Sequence, residues 1–450
     1  MIKRLPLLLR HIMYNLRGGF LVRPLTIALT LGCAGAFLSA AEETYPSISA
    51  WVPHLLFPSH SDPQVAQVIL GGIAGSTMTV VSIVFAILLM TLTLASMQFS
   101  PRILVSFARD RVTQWTLGIF LGTFSYCMAA LPAARSVPYP FAPVATVLGA
   151  MVLALACVCW LLFFIHHISQ AISVNHIVDR IASETEAIVD EMMPWPHRPD
   201  RPQVADLLDA SSWQPAVLSQ VSGYIRFVDT KRLLNLAKTY RVQVHAPRRV
   251  GHFVPAGIPL LVASKPERIT AKAQAEFLAS FDIGPARTLQ QDVEFGVLQI
   301  VDIALKAISP AVNDPTSAIS CVDQLSRILI RFAARQAVDP LLFDPPGVIR
   351  VSIPWIGFTG LLDSAFEQIR LYAKGDIAVS LRLLRALADV AATTPDPAYR
   401  RTLVDRGRRI LAGCAEKLGQ EEMSALRHRA AQLEKLALAP ASEGNEVRAG

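Results

Sequence analysis

Val65–Met97 reads VAQVILGGIAGSTMTVVSIVFAILLMTLTLASM, 33 residues without a charged side chain. At ~1.5 Å per residue a helix of that length runs about 50 Å, against a bilayer core of ~30 Å. The stretch predicts a membrane-crossing helix that tilts or projects beyond one face. Within it Gly71, Gly75, Thr79, Ser82 and Ala86 follow one another at spacings of four, four, three and four, which places them on one helical face. Such a face has two readings: close helix–helix packing in lipid, or a hydroxyl-lined pore wall.

The surrounding chain repeats the apolar theme. Leu25–Ala41 predicts a span before the central one, and Trp115–Ala134 and Phe141–Ile165 predict two after it, the first of these carrying Gly118-x-x-x-Gly122. Residues 1–24 are basic and amphipathic and predict an interfacial segment. That basic part is long for a signal peptide, so Leu25–Ala41 is expected to remain uncleaved. Glu42, Glu43 and Asp62 mark the loop after the first span as non-cytoplasmic, and its prolines Pro46, Pro53, Pro58 and Pro63 argue against a regular helix there. Pro101 after Ser100 opens a short inner-interface helix bearing Arg102, Arg109 and Arg111. Four spans put both termini on one side, and the basic segments make that side the cytoplasm of a bacterial inner membrane. These apolar spans hold no Asp, Glu, Lys, Arg or His, which counts against proton-relay and voltage-sensor mechanisms.

The bulk composition agrees. The chain is 52% hydrophobic and 17% charged with a mean hydropathy of +0.40, too apolar for an ordinary soluble protein. Its net charge of +7 is uneven: residues 1–165 hold 9 Lys/Arg against 4 Asp/Glu, while the remainder is close to balanced. The basicity therefore accompanies the spans, and nucleic acid is not an expected partner. The six cysteines (33, 127, 157, 159, 321 and 414) form no metal or disulfide spacing.

Past the fourth span, Val174, Val178, Ile181, Thr185, Ile188 and Met192 alternate at four and three, which predicts a helical stalk over residues 166–194 with an oligomer seam. Residues 195–265 predict a small β-rich module, with strands around Val217–Val228, Val242–His245 and Leu260–Val262 and a short helix capped by Asp229. Its run Gly251–Leu260 resembles the turn of a lipoyl-type barrel-sandwich domain. The chain has no Met-Lys pair, so no attached lipoyl or biotinyl group is expected.

Residues 266–437 predict a mostly helical domain, with one helix over Arg287–Ile308 and a strand at Gly347–Ile353; 438–450 has the composition of a disordered tail. Arg287, Asp292 and Glu294 read as helix-surface ion pairing. In the corner Ser309-Pro310-Ala311-Val312-Asn313-Asp314-Pro315, Asp314 caps the next helix with Pro315 at its first position. The alternatives there are a structural corner or an anion site at a helix N-terminus, which the Asp314 carboxylate would itself oppose. Phosphate loops, H-E-x-x-H, G-x-S-x-G and paired-cysteine metal sites are missing from the sequence, so neither catalytic residues nor a metal or cofactor is expected.

Two blocks carry a family resemblance. Gln98, Ser100-Pro101-Arg102, Leu104, Phe107, Asp110, Gln114, Leu117-Gly118, Phe120, Phe124 and Tyr126 form one; Gln291-Asp292, Phe295-Gly296, Asp302-Ile303-Ala304, Ala307 and the 309–315 corner form the other. Together they resemble a bacterial family of predicted membrane proteins known only as a domain of unknown function, over roughly residues 10–435. The resemblance implies four N-terminal spans and a cytoplasmic C-terminal domain; it implies no activity. The resulting expectation is a mainly α protein, a four-helix transmembrane bundle followed by a cytoplasmic α+β domain. It would act as a homo-oligomeric channel with a regulatory domain or, alternatively, as a membrane-anchored sensor or scaffold with a protein or small-ligand partner.

Overall fold

The computed structural model describes residues 22–49, 62–98, 111–137, 139–171, 173–193, 213–345 and 347–438. The chain divides at Ser173/Val174 into two compact units, each taken by itself below. The basic segment up to residue 21, the interface helix around Arg102–Asp110 and the tail beyond 438 lie outside the described residues.

The first unit holds four apolar helices, each long enough to cross a bilayer: α1 (Val22–Thr44), α2 (Pro63–Gln98), α3 (Arg111–Ala130) and α4 (Val144–Ala171). Helix α3 is the hub: half of its apolar window is buried, against 17% in each of the other three. Small residues let α1 and α3 cross closely. A Cβ built on Gly35 would lie 2.5 Å from the Tyr126 carbonyl oxygen, and one on Gly122 2.5 Å from Leu31 Cδ1. In lipid, where apolar burial drives little association, contact of this closeness is the main source of attraction.

Polar groups bridge the helices as well. Trp160 Nε1 donates to Thr116 Oγ1 at 2.9 Å, Tyr126 OH to the Thr146 carbonyl at 3.1 Å, and Gln67 Nε2 to the Ala134 carbonyl at 2.6 Å. The helices also exceed the purely apolar stretches. Helix α1 runs on to include Glu42 and Glu43, so the first span's helix is not charge-free at its end. Glu42 is buried and accepts from Ala145 N (2.8 Å), Thr146 N (3.1 Å) and Thr146 Oγ1 (3.0 Å). Its carboxylate thus takes the orphan amides and the positive end of α4. The sequence marks Glu42 only as a loop residue.

The second unit opens with α5 (Val174–Met192), preceded by a non-helical Ser173. The seam residues Val178, Ile181, Thr185 and Ile188 are buried inside this unit, against α8 (Val293–Ala307) and α9 (Pro315–Ala333). Gly296 on α8 permits the approach, since a Cβ there would meet Thr185 Oγ1 at 2.0 Å.

Strands β1 (Gln214–Leu218), β2 (Gly223–Val228), β3 (Val244–His245), β4 (Phe253–Val254) and β5 (Pro259–Ala263) follow, with α6 (Thr230–Thr239) between β2 and β3 and capped by Asp229. Then come α7 (Ala271–Leu278), β6 (Phe281–Gly284), α8 and α9, β7 (Leu341–Asp344) and β8 (Val348–Ser352). The strands make a five-stranded sheet in the order β1-β5-β3-β8-β7, parallel only between β3 and β8, and a three-stranded antiparallel sheet β4-β2-β6. The β part is therefore not confined to 195–265: β6, β7 and β8 return from later in the chain. Four residues ending in Gly284-Pro285 give β6 too little alternation to read in advance. Helices α10 (Phe358–Tyr372), α11 (Ile377–Thr393), α12 (Pro397–Cys414) and α13 (Gln420–Leu438) complete the unit. Leu361, Leu383, Leu387, Leu403 and Leu426 are fully buried among them.

Candidate functional site

In the first unit the candidate is the small-residue face of α2. Ala66, Leu70, Ala74, Thr77 and Val84 form its packed side. Gly71, Gly75, Thr79, Ser82 and Ala86 all lie exposed, and at about 100° per residue they centre on the opposite side of the helix. A Cβ on Gly71, Gly72 or Gly75 would meet nothing within 4 Å, whereas those on Gly35, Gly118 and Gly122 would collide with neighbours. Thr79 Oγ1 donates to the Gly75 carbonyl (3.0 Å) and Ser82 Oγ to the Met78 carbonyl (3.1 Å), so both hydroxyl protons are satisfied within the helix. The flanking surface is apolar, with Val68, Ile83 and Phe85 each at least half exposed.

In the second unit Arg287, Asp292 and Glu294 come together, though not as a surface helix pair. Helix α8 starts only at Val293, because Asp292 caps it by accepting from Phe295 N at 3.1 Å. Arg287 lies in the preceding loop and reaches forward. Its Nε donates to Asp292 Oδ2 and its Nη2 to Asp292 Oδ1, both at 2.7 Å, and Nη2 also meets Glu294 Oε2 at 2.9 Å. Arg249, from the loop between β3 and β4, adds Nη2 to Glu294 Oε2 at 2.9 Å, and Ser364 Oγ on α10 donates to Glu294 Oε1 at 2.9 Å. Arg249 and Ser364 carry no sequence signal that links them to this cluster.

Two cations and two anions thus close a neutral network whose side chains are at most 17% exposed. Burial by itself would raise the Glu294 carboxyl, but hydrogen bonds and charge from Arg287, Arg249 and Ser364 outweigh it and hold Glu294 below the usual carboxylate range. The same pairing holds the Arg287 proton more tightly than usual against the opposing effect of burial. Every carboxylate oxygen in the network already accepts a hydrogen bond, so the cluster works as a clamp between the β3–β4 loop, α8 and α10. Gly251 sits against it with φ +89°; a Cβ there would lie 2.4 Å from Asp292 Oδ2 and 2.7 Å from Arg287 Nη2.

The 309–315 corner spends its polar groups on itself. Asn313 takes φ +50° and donates its backbone N–H to the Ser309 carbonyl (2.8 Å), and Asp314 N donates to the Ala307 carbonyl (2.8 Å). Ser309 Oγ donates to the Lys306 carbonyl at 2.7 Å. Asp314 Oδ1 accepts from Ser317 N at 3.1 Å and Oδ2 from Ser317 Oγ, with Pro315 opening α9 after Pro310 has closed the preceding turn. These bonds hold the Asp314 carboxyl below its usual range.

Of the first signature block, Ser100, Pro101, Arg102 and Asp110 lie outside the described residues, and Gln98 is described only as the last residue of α2. Gln114, Leu117, Phe120 and Tyr126 are buried on α3.

The family model described as predicted membrane protein (DUF2254) matches residues 17–389. An uncharacterized protein of Mycobacterium tuberculosis (strain ATCC 25618 / H37Rv) is 32% identical over 398 residues, which cover 87% of this chain and 75% of that relative. An uncharacterized protein of Mycobacterium bovis (strain ATCC BAA-935 / AF2122/97) matches with the same identity and coverage. No solved structure matches the chain significantly. With four bilayer-length apolar helices and a family match over most of its length, the chain is a membrane protein and belongs to the DUF2254 family.

Proposed function

We propose that the protein is a homo-oligomer of the bacterial inner membrane, with both termini cytoplasmic, in which α2 helices of neighbouring copies meet along Gly71, Gly75, Thr79, Ser82 and Ala86. The seam between copies is the permeation path, and residues 174–438 are its regulatory domain. The observation that carries this reading is the uncovered state of that face. Elsewhere in the first unit small residues serve close crossings, as at Gly35, Gly118 and Gly122; on α2 the same residue type meets open space. A small-residue face in lipid gains most when a second helix fills it. The hydroxyl lone pairs of Thr79 and Ser82 then face the seam. The orientation follows from the basic segments 1–24 and 102–111 set against the acidic Glu42, Glu43 and Asp62.

Flux of ions or small solutes from liposomes carrying purified protein tests the reading. Permeation that falls with Thr79→Leu and Ser82→Leu supports it; absence of flux from an assembled oligomer contradicts the permeation part. One observation favours a second reading, a membrane-anchored scaffold: both hydroxyl protons are already satisfied by the helix backbone and need no water. Under that reading the two leucine variants leave function intact.

A further inference from the structure

One end of the β part of the second unit carries an apolar tip that includes the Gly251–Leu260 run. The turn after β1 and the turn before β5 lie side by side there: Ser219 N donates to the Ile258 carbonyl (3.0 Å) and Gly257 N to the Ser219 carbonyl (2.8 Å). From these turns and β4, the side chains of Leu218, Val221, Phe253 and Ile258 stand 37–54% exposed. Phe253 makes a T-shaped contact with the Tyr224 ring, centroids 5.2 Å apart. Residues 215–225 and 250–264 hold no Asp, Glu, Lys or Arg. The polar groups of the tip bond to one another. Ala256 N donates to Ser222 Oγ (2.9 Å) and Ser219 Oγ to the Val221 carbonyl (2.6 Å), while Gly223 and Tyr224 pair with Val254 and Phe253 across the β2–β4 ladder. Beside the tip, Arg248 donates from Nη1 to the Phe253 carbonyl, and no carboxylate pairs with it among the described residues.

We propose that this tip docks on a phospholipid surface, with Leu218, Val221, Phe253 and Ile258 entering the bilayer interface and Arg248 meeting headgroup phosphates. A segment that enters a medium poor in water must satisfy its backbone groups internally, and the two turns bond to each other. It must also leave no charge to be desolvated, and the tip has none. An aromatic pair with a long cationic side chain beside it suits the boundary between acyl chains and headgroups. The lone unpaired cation complements phosphate, whereas no acid at the tip opposes it. The chain is itself anchored in a bilayer by its first unit, so a lipid surface is the partner at hand. The competing occupant is a second copy of the chain. The proposal does not rest on the seam on α2.

The test is spin-label power saturation on the full chain in phospholipid nanodiscs, with the exposed Cys33 and Cys159 replaced by serine. Nitroxides are placed singly at Val221→Cys and Ile258→Cys, and at Val348→Cys as the reference. Val348 is equally apolar and exposed, but it starts β8, whose far end is the one that lies toward the tip. Collisions with a water-soluble nickel chelate at 221 and 258 should be at least threefold rarer than at 348, while collisions with oxygen, which concentrates in lipid, should be at least as frequent. Phe253→Asp, a change at an exposed side chain, should return the 221 label to the behaviour of 348. Equal chelate access at 221, 258 and 348 would overturn the proposal. So would labels at the tip shielded from chelate and oxygen alike with spin–spin broadening between copies, the outcome of a protein contact, or an unaltered 221 signal in Phe253→Asp.

Discussion

The Arg287 guanidinium lies fork to fork on the Asp292 carboxylate, with Nε–Oδ2 and Nη2–Oδ1 both at 2.7 Å and the Asp292 side chain only 2% exposed. One end of that fork caps α8 and the other anchors a loop. Removing the cation leaves a buried carboxylate unpaired, a change that costs on the order of 3–5 kcal/mol. Arg287→Ala should therefore destabilise the second unit by about that amount, seen as faster amide hydrogen exchange across residues 293–307 and a lower melting temperature. Retention of wild-type stability would remove the clamp from the account.

Gly251 and Gly257 separate backbone strain from crowding. Both have positive φ, +89° and +82°, but a Cβ on Gly257 meets open space while one on Gly251 strikes the Arg287–Asp292 pair. Gly257→Ala should cost about 1–2 kcal/mol, the ordinary penalty of the left-handed region. Gly251→Ala should cost clearly more, because it carries the same strain and also parts the ion pair. Thermal denaturation of the two variants side by side gives the ordering.

Acid should loosen the second unit through Glu294. Its folded carboxyl titrates below the ordinary value of 4.5, so the unfolded chain takes up the proton at higher pH than the folded one. The stabilisation is fully present above the ordinary value and is lost as pH falls through the folded value. Glu294→Gln should be less stable at neutral pH and should show a shallower decline in melting temperature below about pH 4.5. An unchanged slope would show that Glu294 does not carry the acid sensitivity.

The four apolar helices were legible in the sequence because lipid demands length and hydropathy, and both are linear properties of the chain. The α8–α9 corner was legible for a local reason: Asp314 and Pro315 are cap and first-turn residues with fixed geometry. The clamp was not, since Arg249 and Ser364 come to Glu294 from distant elements and nothing local marks them. The seam on α5 was seen but misdirected. Its heptad-like spacing tells that a helix needs partners, and the chain supplies them itself from α8 and α9. The five-stranded sheet escaped because β3 has two residues and its parallel partner β8 lies about a hundred positions later.

Glu42 and Glu43 are neighbours with unequal duties. Glu42 is buried and accepts three hydrogen bonds at the start of α4, while Glu43 pairs with Arg135 at the surface. Glu42→Ala should cost the first unit about 1–3 kcal/mol, the loss of a charged cap that leaves buried donors unsatisfied. Glu43→Ala should cost no more than about 1 kcal/mol, as surface pairs do. Unfolding of the purified protein in mixed micelles resolves the difference.

Cysteine cross-linking in native membranes bears most directly on the claim that the uncovered face of α2 meets a second copy. With the exposed Cys33 and Cys159 replaced by serine, Thr79→Cys and Ser82→Cys should each yield a covalently linked dimer on treatment with a short bismaleimide, and Ala74→Cys, on the packed side, should not. Monomer alone at 79 and 82, or equal linkage at 74, would contradict it.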